Sequence, residues 1–280
     1  MTILQICILA VIQGVAELLP VSSSAHVITA ERLMGLDPTL PEMTLLIVML
    51  HTGTMFAVIV FFWNAWRKTF FESKEAVKKY VLYLSSATIA TGIIGYGLLL
   101  LIKHQFSSDA TTFEIEHLFG NAKLMAYALA TAGILIIVSS RIREQSKPLT
   151  LFSSIVIGSV QGLCLPFRGF SRSGATISTG LLCGVSRARA EEFSFALAVI
   201  LTPAVIVKEA FRLLKVKTEL SATQWEHMLN IFTPSLIGMV LSFVFGLIAL
   251  HWLSRWLQKD RWHFFGGYCL VAACVVYLTA

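Results

Sequence analysis

The chain has 280 residues, of which 56% are hydrophobic and only 14% are charged, and its formal net charge is +6. This composition excludes a soluble globular protein of this size, which needs more charged residues to cover its surface. The Lys and Arg residues stand in short loops between apolar runs, so they indicate membrane topology and not a nucleic-acid partner.

The first element, residues 2 to 35, is an apolar segment interrupted by LPVSSSAH. It lacks the basic start of a signal peptide and carries Glu17 where a cleavage site would need small residues, so we expect it to be retained. Non-helical backbone at membrane depth is tolerated only where it packs in protein or faces water. We therefore predict a helix, a loop and a helix that enter and leave on one side.

Uninterrupted apolar spans follow this element. About 20 mainly apolar residues cross a bilayer core, and three stretches meet this requirement at residues 40 to 62, 80 to 102 and 122 to 140. A second broken segment, residues 150 to 188, contains LPFRGFSRSGAT and precedes three further spans, at residues 191 to 210, 232 to 253 and 263 to 280. The sequence predicts an all-α integral membrane protein with about six transmembrane helices and two re-entrant helix-loop-helix segments.

The two broken segments resemble each other. QGVAELLPVSSSA begins at Gln13, and QGLCLPFRGFSRSGA begins at Gln161. Because an odd number of crossings separates the copies, we predict an inverted repeat within one membrane domain, with repeat one at residues 1 to 141 and repeat two at residues 150 to 280. In such folds the broken helices meet near the middle of the bilayer and form the binding site.

The distribution of basic residues predicts the orientation, because cytoplasmic loops hold the excess of Lys and Arg. With residue 1 outside, the inside loops hold 13 of the 22 basic residues and the outside loops hold 7. We therefore expect both termini on the outer side.

Cysteines give no sign of a disulfide framework or a zinc site. They stand singly in apolar segments, without a CxxC pair or histidines at zinc-ligand spacing. We expect small buried thiols at all five positions, namely Cys7, Cys164, Cys183, Cys269 and Cys274.

Polar residues in the first broken segment are candidates for chemistry. Gln13 and Glu17 are four residues apart and share one helix face. An ionisable group inside the membrane costs several kcal/mol unless it is paired or hydrated, so it indicates function by default. The alternative for Glu17 is a structural pair with Arg172 or another cation.

Three hydroxyls follow in the same segment. One of Ser22, Ser23 and Ser24 is expected to cap the helix that starts near Ala25. With His26 close behind, the serines also place a nucleophile beside a base, which is the arrangement for covalent phosphoryl or acyl transfer. The alternative for His26 is a hydrogen-bonded packing role.

The second broken segment carries the matching cation. Arg172 lies between Ser171 and Ser173 directly ahead of an apolar helix, and a guanidinium with backbone N–H groups at a helix start binds phosphate oxygens. A structural salt bridge is the alternative. For Arg168 the alternative to anion binding is a side chain that only extends toward the membrane surface. For His51, in VMLHTGTMF, helix packing and a supporting role at the site both stay open.

A carboxylate close to a phosphate requires a divalent cation between them. We therefore expect Mg²⁺ or Ca²⁺ bound by Glu17, with Gln13 as a second ligand. A buried site that combines a carboxylate, a hydroxyl, an imidazole and an arginine predicts a phosphorylated lipid as the substrate.

At these residues the chain resembles the undecaprenyl-diphosphate phosphatase family of the bacitracin-resistance type. The resemblance covers the whole chain through QGVAE, LPVSSSAH, LHTGT, GFSRSGATIS and GVSRARAEEFSFALAV. It implies a multi-pass enzyme of the bacterial cytoplasmic membrane, commonly a homodimer, that removes the terminal phosphate of a polyprenyl diphosphate and regenerates the carrier lipid for cell-wall synthesis. It also implies a site open to the outer face, formed by Gln13, Glu17, Ser23, His26, Ser171, Arg172, Ser173 and Thr176.

The chain departs from the family pattern in three places. Gln13 stands where the family often has Glu, which weakens its case as a metal ligand. Ala25 replaces a Gly before the histidine. The usual PGFSRSG is PFRGFSRSG here, and the added residue moves the proline away from Arg172.

Two chemical routes and a rival function remain open from the sequence. We expect catalytic roles for Glu17, Ser23, His26 and Arg172, and substrate binding by Gln13, Ser22, Ser24, Ser171, Ser173 and Thr176. Either Ser23 attacks the terminal phosphorus with help from His26, or water activated by Glu17 or His26 attacks directly. The rival is a transporter or flippase of phosphorylated lipid, because broken helices in inverted repeats are a transporter architecture. A pure carrier would not need the Ser/His pair, and a structural scaffold would leave the polar cluster unexplained.

Overall fold

The computed structural model describes residues 1–37, 41–106, 121–142, 146–217 and 222–278. Over these residues the chain is all α, as predicted, with one isolated β-bridge between Lys147 and Val185. The described helices are α1 (Ile3–Leu18), α2 (Ser23–Leu33), α3 (Pro41–Thr69), α4 (Lys74–Phe106), α5 (Ala122–Ser140), α6 (Leu151–Cys164), α7 (Arg172–Leu182), α8 (Arg187–Lys217), α9 (Ala222–Gln258) and α10 (Trp262–Leu278).

Both segments that were predicted to be broken are interrupted at a proline. α1 ends two residues before Pro20, and α6 ends two residues before Pro166. A proline has no backbone N–H to continue the helical hydrogen bonds, and its ring crowds the preceding turn, so each helix ends close to it. Leu165, directly before Pro166, still has αR backbone as the C-cap of α6. A short helix of 11 residues follows each break, α2 in the first segment and α7 in the second. Whether each segment enters and leaves on one face of the membrane stays a prediction.

Four helices in the described part of the chain are long and apolar enough to cross a membrane. They are Met43–Thr69, Lys74–His104, Ala122–Ser140 and Phe232–Gln258. The other two predicted spans fall in α8 and α10, and α10 has only 17 residues. Several helices extend beyond the predicted spans, since backbone hydrogen bonding continues where the apolar composition ends. That six helices cross the membrane stays a prediction.

One compact unit of the chain consists of Met1–Leu18, Ser23–Trp63 and Ala198–Leu253. Its core is a cluster of buried apolar side chains from α1, α2 and α3, which includes Ile6, Leu9, Val27 and Leu46. In this unit α1 lies directly against α9, because a Cβ atom at Gly14 would lie 2.8 Å from the carbonyl oxygen of Ser242.

The second compact unit consists of Leu19–Ser22, Asn64–Leu197 and Ser254–Ala280. Here α4 packs against α6, and α5 packs against α10. Gly162 permits the first of these contacts, because its Cβ would lie 2.8 Å from the carbonyl oxygen of Thr91. All five cysteines of the protein are free thiols. The expectation that all five are buried was wrong, because Cys164 and Cys269 are buried whereas Cys7 and Cys183 are half-buried and Cys274 is exposed.

Candidate functional site

The break between α1 and α2 places a carboxylate next to a hydroxyl. Glu17 lies in the last turn of α1, and Ser23 is the first residue of α2. The connecting turn is strained, because Ser22 adopts a φ of 67°, a left-handed conformation that costs a non-glycine residue of order 1 kcal/mol. Ser22 is buried, and α2 starts directly after it.

Three side chains converge on one oxygen of Glu17. The hydroxyl of Ser23 donates to Oε2 over 2.5 Å, and the amide of Gln13 donates to the same atom over 3.3 Å. Nε2 of His51, from α3, lies 3.9 Å from that oxygen. The side chain of Glu17 is 18% exposed, so the carboxylate is shielded but can be reached.

The Ser23–Glu17 bond bears on which group removes a proton from the serine. A serine hydroxyl carries a single proton, and here that proton is directed at Glu17. His26, three residues later on α2, is half-buried. The geometry therefore offers Glu17 as the proton acceptor of Ser23, a role that the sequence had assigned to His26.

The second break places an arginine at the start of a buried helix. Ser171 caps α7, because its side chain accepts a hydrogen bond of 3.2 Å from the backbone N–H of Gly174. Arg172 is the first residue of α7 and is half-buried, whereas Arg168 in the preceding loop is exposed. Gly169 has a φ of 100°, and a Cβ there would lie 2.4 Å from the carbonyl oxygen of Met125, so only glycine fits.

The hydroxyls of α7 are bonded within the protein. Ser173 donates to the carbonyl of Leu19 over 3.3 Å. Thr176 donates to the carbonyl of Arg172 over 2.8 Å and lies 2.5 Å from the hydroxyl of Ser194 on α8. Both side chains are buried. A direct contact of Ser173 or Thr176 with a substrate would require one of these bonds to break.

Several polar residues that were not expected from the sequence make hydrogen bonds on or near α7. Ser194 contacts Thr176, and buried Trp262 donates its indole N–H to Ser178 and to Ser139, each over 3.1 Å. Glu192 accepts from Arg189 over 2.6 Å. For Glu192 and Ser194 the signal in the sequence is their position as polar residues within the apolar run EEFSFALAV.

The two groups of candidate residues fall in different compact units. Gln13, Glu17, Ser23 and His26 belong to the first unit, and Ser171, Arg172, Ser173 and Thr176 belong to the second. Their convergence on one substrate stays a prediction.

The donors at Glu17 fit a cation that the substrate helps to bind. Among the residues that the structure describes, no cluster of three or more His, Cys, Asp and Glu side chains could enclose a metal ion. Mg²⁺ is commonly held by one or two carboxylates together with substrate phosphates. Glu17 supplies one carboxylate, and a rotation of the Gln13 amide would add a carbonyl oxygen.

Comparison with known proteins gives a family match and full-length relatives. The family described as bacitracin resistance protein BacA matches residues 6–275. The chain is 59% identical over 281 residues to undecaprenyl-diphosphatase 2 of Acinetobacter baylyi, and the aligned region covers 100% of this chain and 99% of that protein. It is 30% identical over 280 residues to the undecaprenyl-diphosphatase of Rhodopirellula baltica, covering 99% and 97% of the two chains. It is also 30% identical to the undecaprenyl-diphosphatase of Fusobacterium nucleatum, covering 97% and 98%.

Proposed function

Because the chain belongs to the family of the bacitracin resistance protein BacA, we propose that it hydrolyses undecaprenyl diphosphate to undecaprenyl phosphate and inorganic phosphate. The resemblance that the motifs indicated is confirmed by the family match. The full-length similarity to an undecaprenyl-diphosphatase at 59% identity supports this enzymatic activity. The activity recycles the lipid carrier for peptidoglycan synthesis and is the basis of bacitracin resistance in the family.

The observation that carries the chemistry is the hydrogen bond from Ser23 to Glu17, of 2.5 Å. In the proposed reaction Oγ of Ser23 attacks the terminal phosphorus, and its proton passes to Glu17. The bond from that phosphorus to the bridging oxygen breaks, and undecaprenyl phosphate leaves. Water then hydrolyses the phosphoserine, which releases inorganic phosphate and restores the serine. His26 assists the proton transfers from the same helix.

Arg172 has a separate role in this scheme. Its guanidinium and the N–H groups at the start of α7 bind the diphosphate oxygens, since a helix N-terminus and an arginine fork both favour anions. Ser171 keeps that turn in place as the cap. Of the other candidates, Gln13 orients Glu17, and Ser22, Ser24, Ser173 and Thr176 shape the two breaks around the substrate.

A divalent cation, Mg²⁺ or Ca²⁺, held by Glu17 with Gln13 would neutralise negative charge on the bridging and terminal phosphate oxygens. This cofactor is part of the proposal, and its support is the fit of the donors at Glu17.

We further propose the membrane arrangement of an inverted repeat, with six transmembrane helices and two re-entrant segments. The order of helix lengths supports a duplication, because α1 to α5 contain 16, 11, 29, 33 and 19 residues and α6 to α10 contain 14, 11, 31, 37 and 17. The equivalent glycines Gly14 and Gly162 also make equivalent contacts, each with a carbonyl oxygen of another helix. In this arrangement both termini and the site face the outer side of the cytoplasmic membrane. The family resemblance supports a homodimer.

Phosphate release from undecaprenyl diphosphate by the purified protein in detergent tests the proposed function. We expect activity that is lost by roughly 100-fold or more in Glu17→Gln, because a positioned base contributes at least that factor. The matched control is Thr29→Ala, a surface change on α2 that removes only a bond to the carbonyl of Ala25. A wild-type protein that binds the lipid but releases no phosphate would contradict the proposal and favour a carrier.

A further inference from the structure

His51 lies beside Glu17 with a fixed ring orientation. Its Nδ1 is 2.9 Å from the carbonyl oxygen of Ile47, one turn earlier on α3. A carbonyl oxygen only accepts hydrogen bonds, so Nδ1 must carry a proton. In a neutral ring the lone pair is then on Nε2, the atom that lies 3.9 Å from Oε2 of Glu17.

A lone pair and a carboxylate both only accept hydrogen bonds, so a hydrogen-bond donor or a positive charge must lie between the two. One solution is a second proton on the ring, which makes an ion pair with Glu17. A second is a water molecule that donates to both atoms, and a third is a metal ion that both side chains bind. The histidine and the glutamate are 28% and 18% exposed, so an ion can reach the position between them.

We infer that Nε2 of His51 is, together with the carboxylate of Glu17, a ligand of the divalent cation. A histidine that binds a metal through one nitrogen nearly always donates its other N–H to a carbonyl or carboxylate, as His51 does to Ile47. Two ligands of one tetrahedral ion lie roughly 3.4 Å apart. The observed 3.9 Å therefore requires only a small approach of the side chains.

This ligand changes the class of metal that the site should prefer. Ca²⁺ and Mg²⁺ bind oxygen ligands, whereas an imidazole nitrogen favours first-row transition metals such as Mn²⁺, Co²⁺ and Zn²⁺. We expect the site to take Co²⁺ in preference to Ca²⁺. The inference rests on the proposed function for the presence of a cation, but metal binding can be measured without turnover.

A second histidine in the same unit supplies a matched control. His251 on α9 makes the same bond, from Nδ1 to the carbonyl of Leu247 over 2.9 Å. Its ring, however, packs edge-on against Phe61, with 4.9 Å between the ring centroids. The bond to the preceding turn is therefore common to both histidines, and the neighbouring carboxylate distinguishes His51.

The test is a Co²⁺ titration of purified protein without a histidine tag, followed by visible absorption. We expect a spectrum of protein-bound Co²⁺ that excess Ca²⁺ does not displace. His51→Gln should weaken Co²⁺ binding by about tenfold or more, since even outer-shell changes at metal sites cost roughly 10- to 100-fold. His251→Gln should leave affinity and spectrum unchanged. His51→Ala is the second variant, and thermal unfolding of each variant confirms that it is folded.

Wild-type Co²⁺ affinity and an unchanged spectrum in folded His51→Gln or His51→Ala would overturn the inference and leave the ion pair or the bridging water. Phosphate release from undecaprenyl diphosphate in excess Mg²⁺, measured on the wild type, separates this result from a failure of the proposed function. If the wild type releases phosphate but no Co²⁺ spectrum depends on His51, only the assignment of His51 as a metal ligand is contradicted. If a Co²⁺ spectrum depends on His51 but the wild type releases no phosphate, only the proposed phosphatase activity is contradicted.

Discussion

Ser23 donates its hydroxyl proton to Glu17 over 2.5 Å, across the break between α1 and α2. The two residues are held by different helices, and the strained backbone at Ser22 lies between them. A nucleophile and its base are thus brought together by the interruption itself. An unbroken helix would have carried Ser23 beyond the reach of Glu17, because residues six apart do not share a helix face.

Ser23→Ala tests covalent catalysis. We expect phosphate release to fall by roughly 100-fold or more, because the reaction loses its nucleophile. Brief incubation of the wild type with labelled undecaprenyl diphosphate, followed by acid quenching and mass spectrometry, should reveal a phosphoserine at position 23. Activity within a few-fold of wild type in Ser23→Ala would instead indicate direct attack by water.

Arg172→Lys tests the need for a guanidinium at the start of α7. Lysine keeps the charge but lacks the planar fork that binds two phosphate oxygens together. We expect KM for undecaprenyl diphosphate to rise by about tenfold or more, corresponding to one lost charge-assisted bond of roughly 1.5–3 kcal/mol. The control is Arg168→Lys, an exposed position in the loop before α7, which should stay within about twofold of wild type. Equal effects at both positions would argue against a specific role for Arg172.

The contact between Thr176 and Ser194 predicts how α7 is supported from its buried side. Thr176 donates its proton to the carbonyl of Arg172, so the hydroxyl of Ser194 must donate to Thr176. Thr176→Val should lower stability by about 1–3 kcal/mol, because it leaves buried polar groups without partners. Thr176→Ser should retain most of the wild-type stability, because the serine keeps the hydroxyl. Thermal unfolding in detergent measures both, and equal stability of the two variants would contradict the predicted network.

The two helix contacts at glycine predict a paired effect on stability. Gly14→Ala and Gly162→Ala each place a methyl group 2.8 Å from a backbone carbonyl oxygen of another helix. We expect each to lower the unfolding temperature, because the helices must separate. Gly97→Ala on α4 is the control, since nothing lies within 4 Å of its Cβ. It should be neutral or stabilise by up to about 1 kcal/mol, so a loss as large as that of Gly14→Ala would refute the packing argument.

The local features of this protein follow directly from its amino-acid sequence. Pro20 and Pro166 predict the two helix breaks, because a proline lacks the N–H that a helix interior needs and crowds the preceding turn. The spacing of Gln13 and Glu17 places them on one face of α1, and Arg172 was expected at the start of an apolar helix, which begins at that residue. The motifs around these residues also identified the family.

The contacts between distant segments depend on how the helices pack. His51 against Glu17, Ser194 against Thr176 and Ser173 against Leu19 join different helices or loops. In a membrane protein the lipid-facing surface is as apolar as the core, so hydrophobic pattern does not reveal which side of a helix is buried. Phe193 is completely buried whereas Val271 is 66% exposed, although both stand in apolar runs. Close packing of the helices, and not their composition, selects the polar residues that meet.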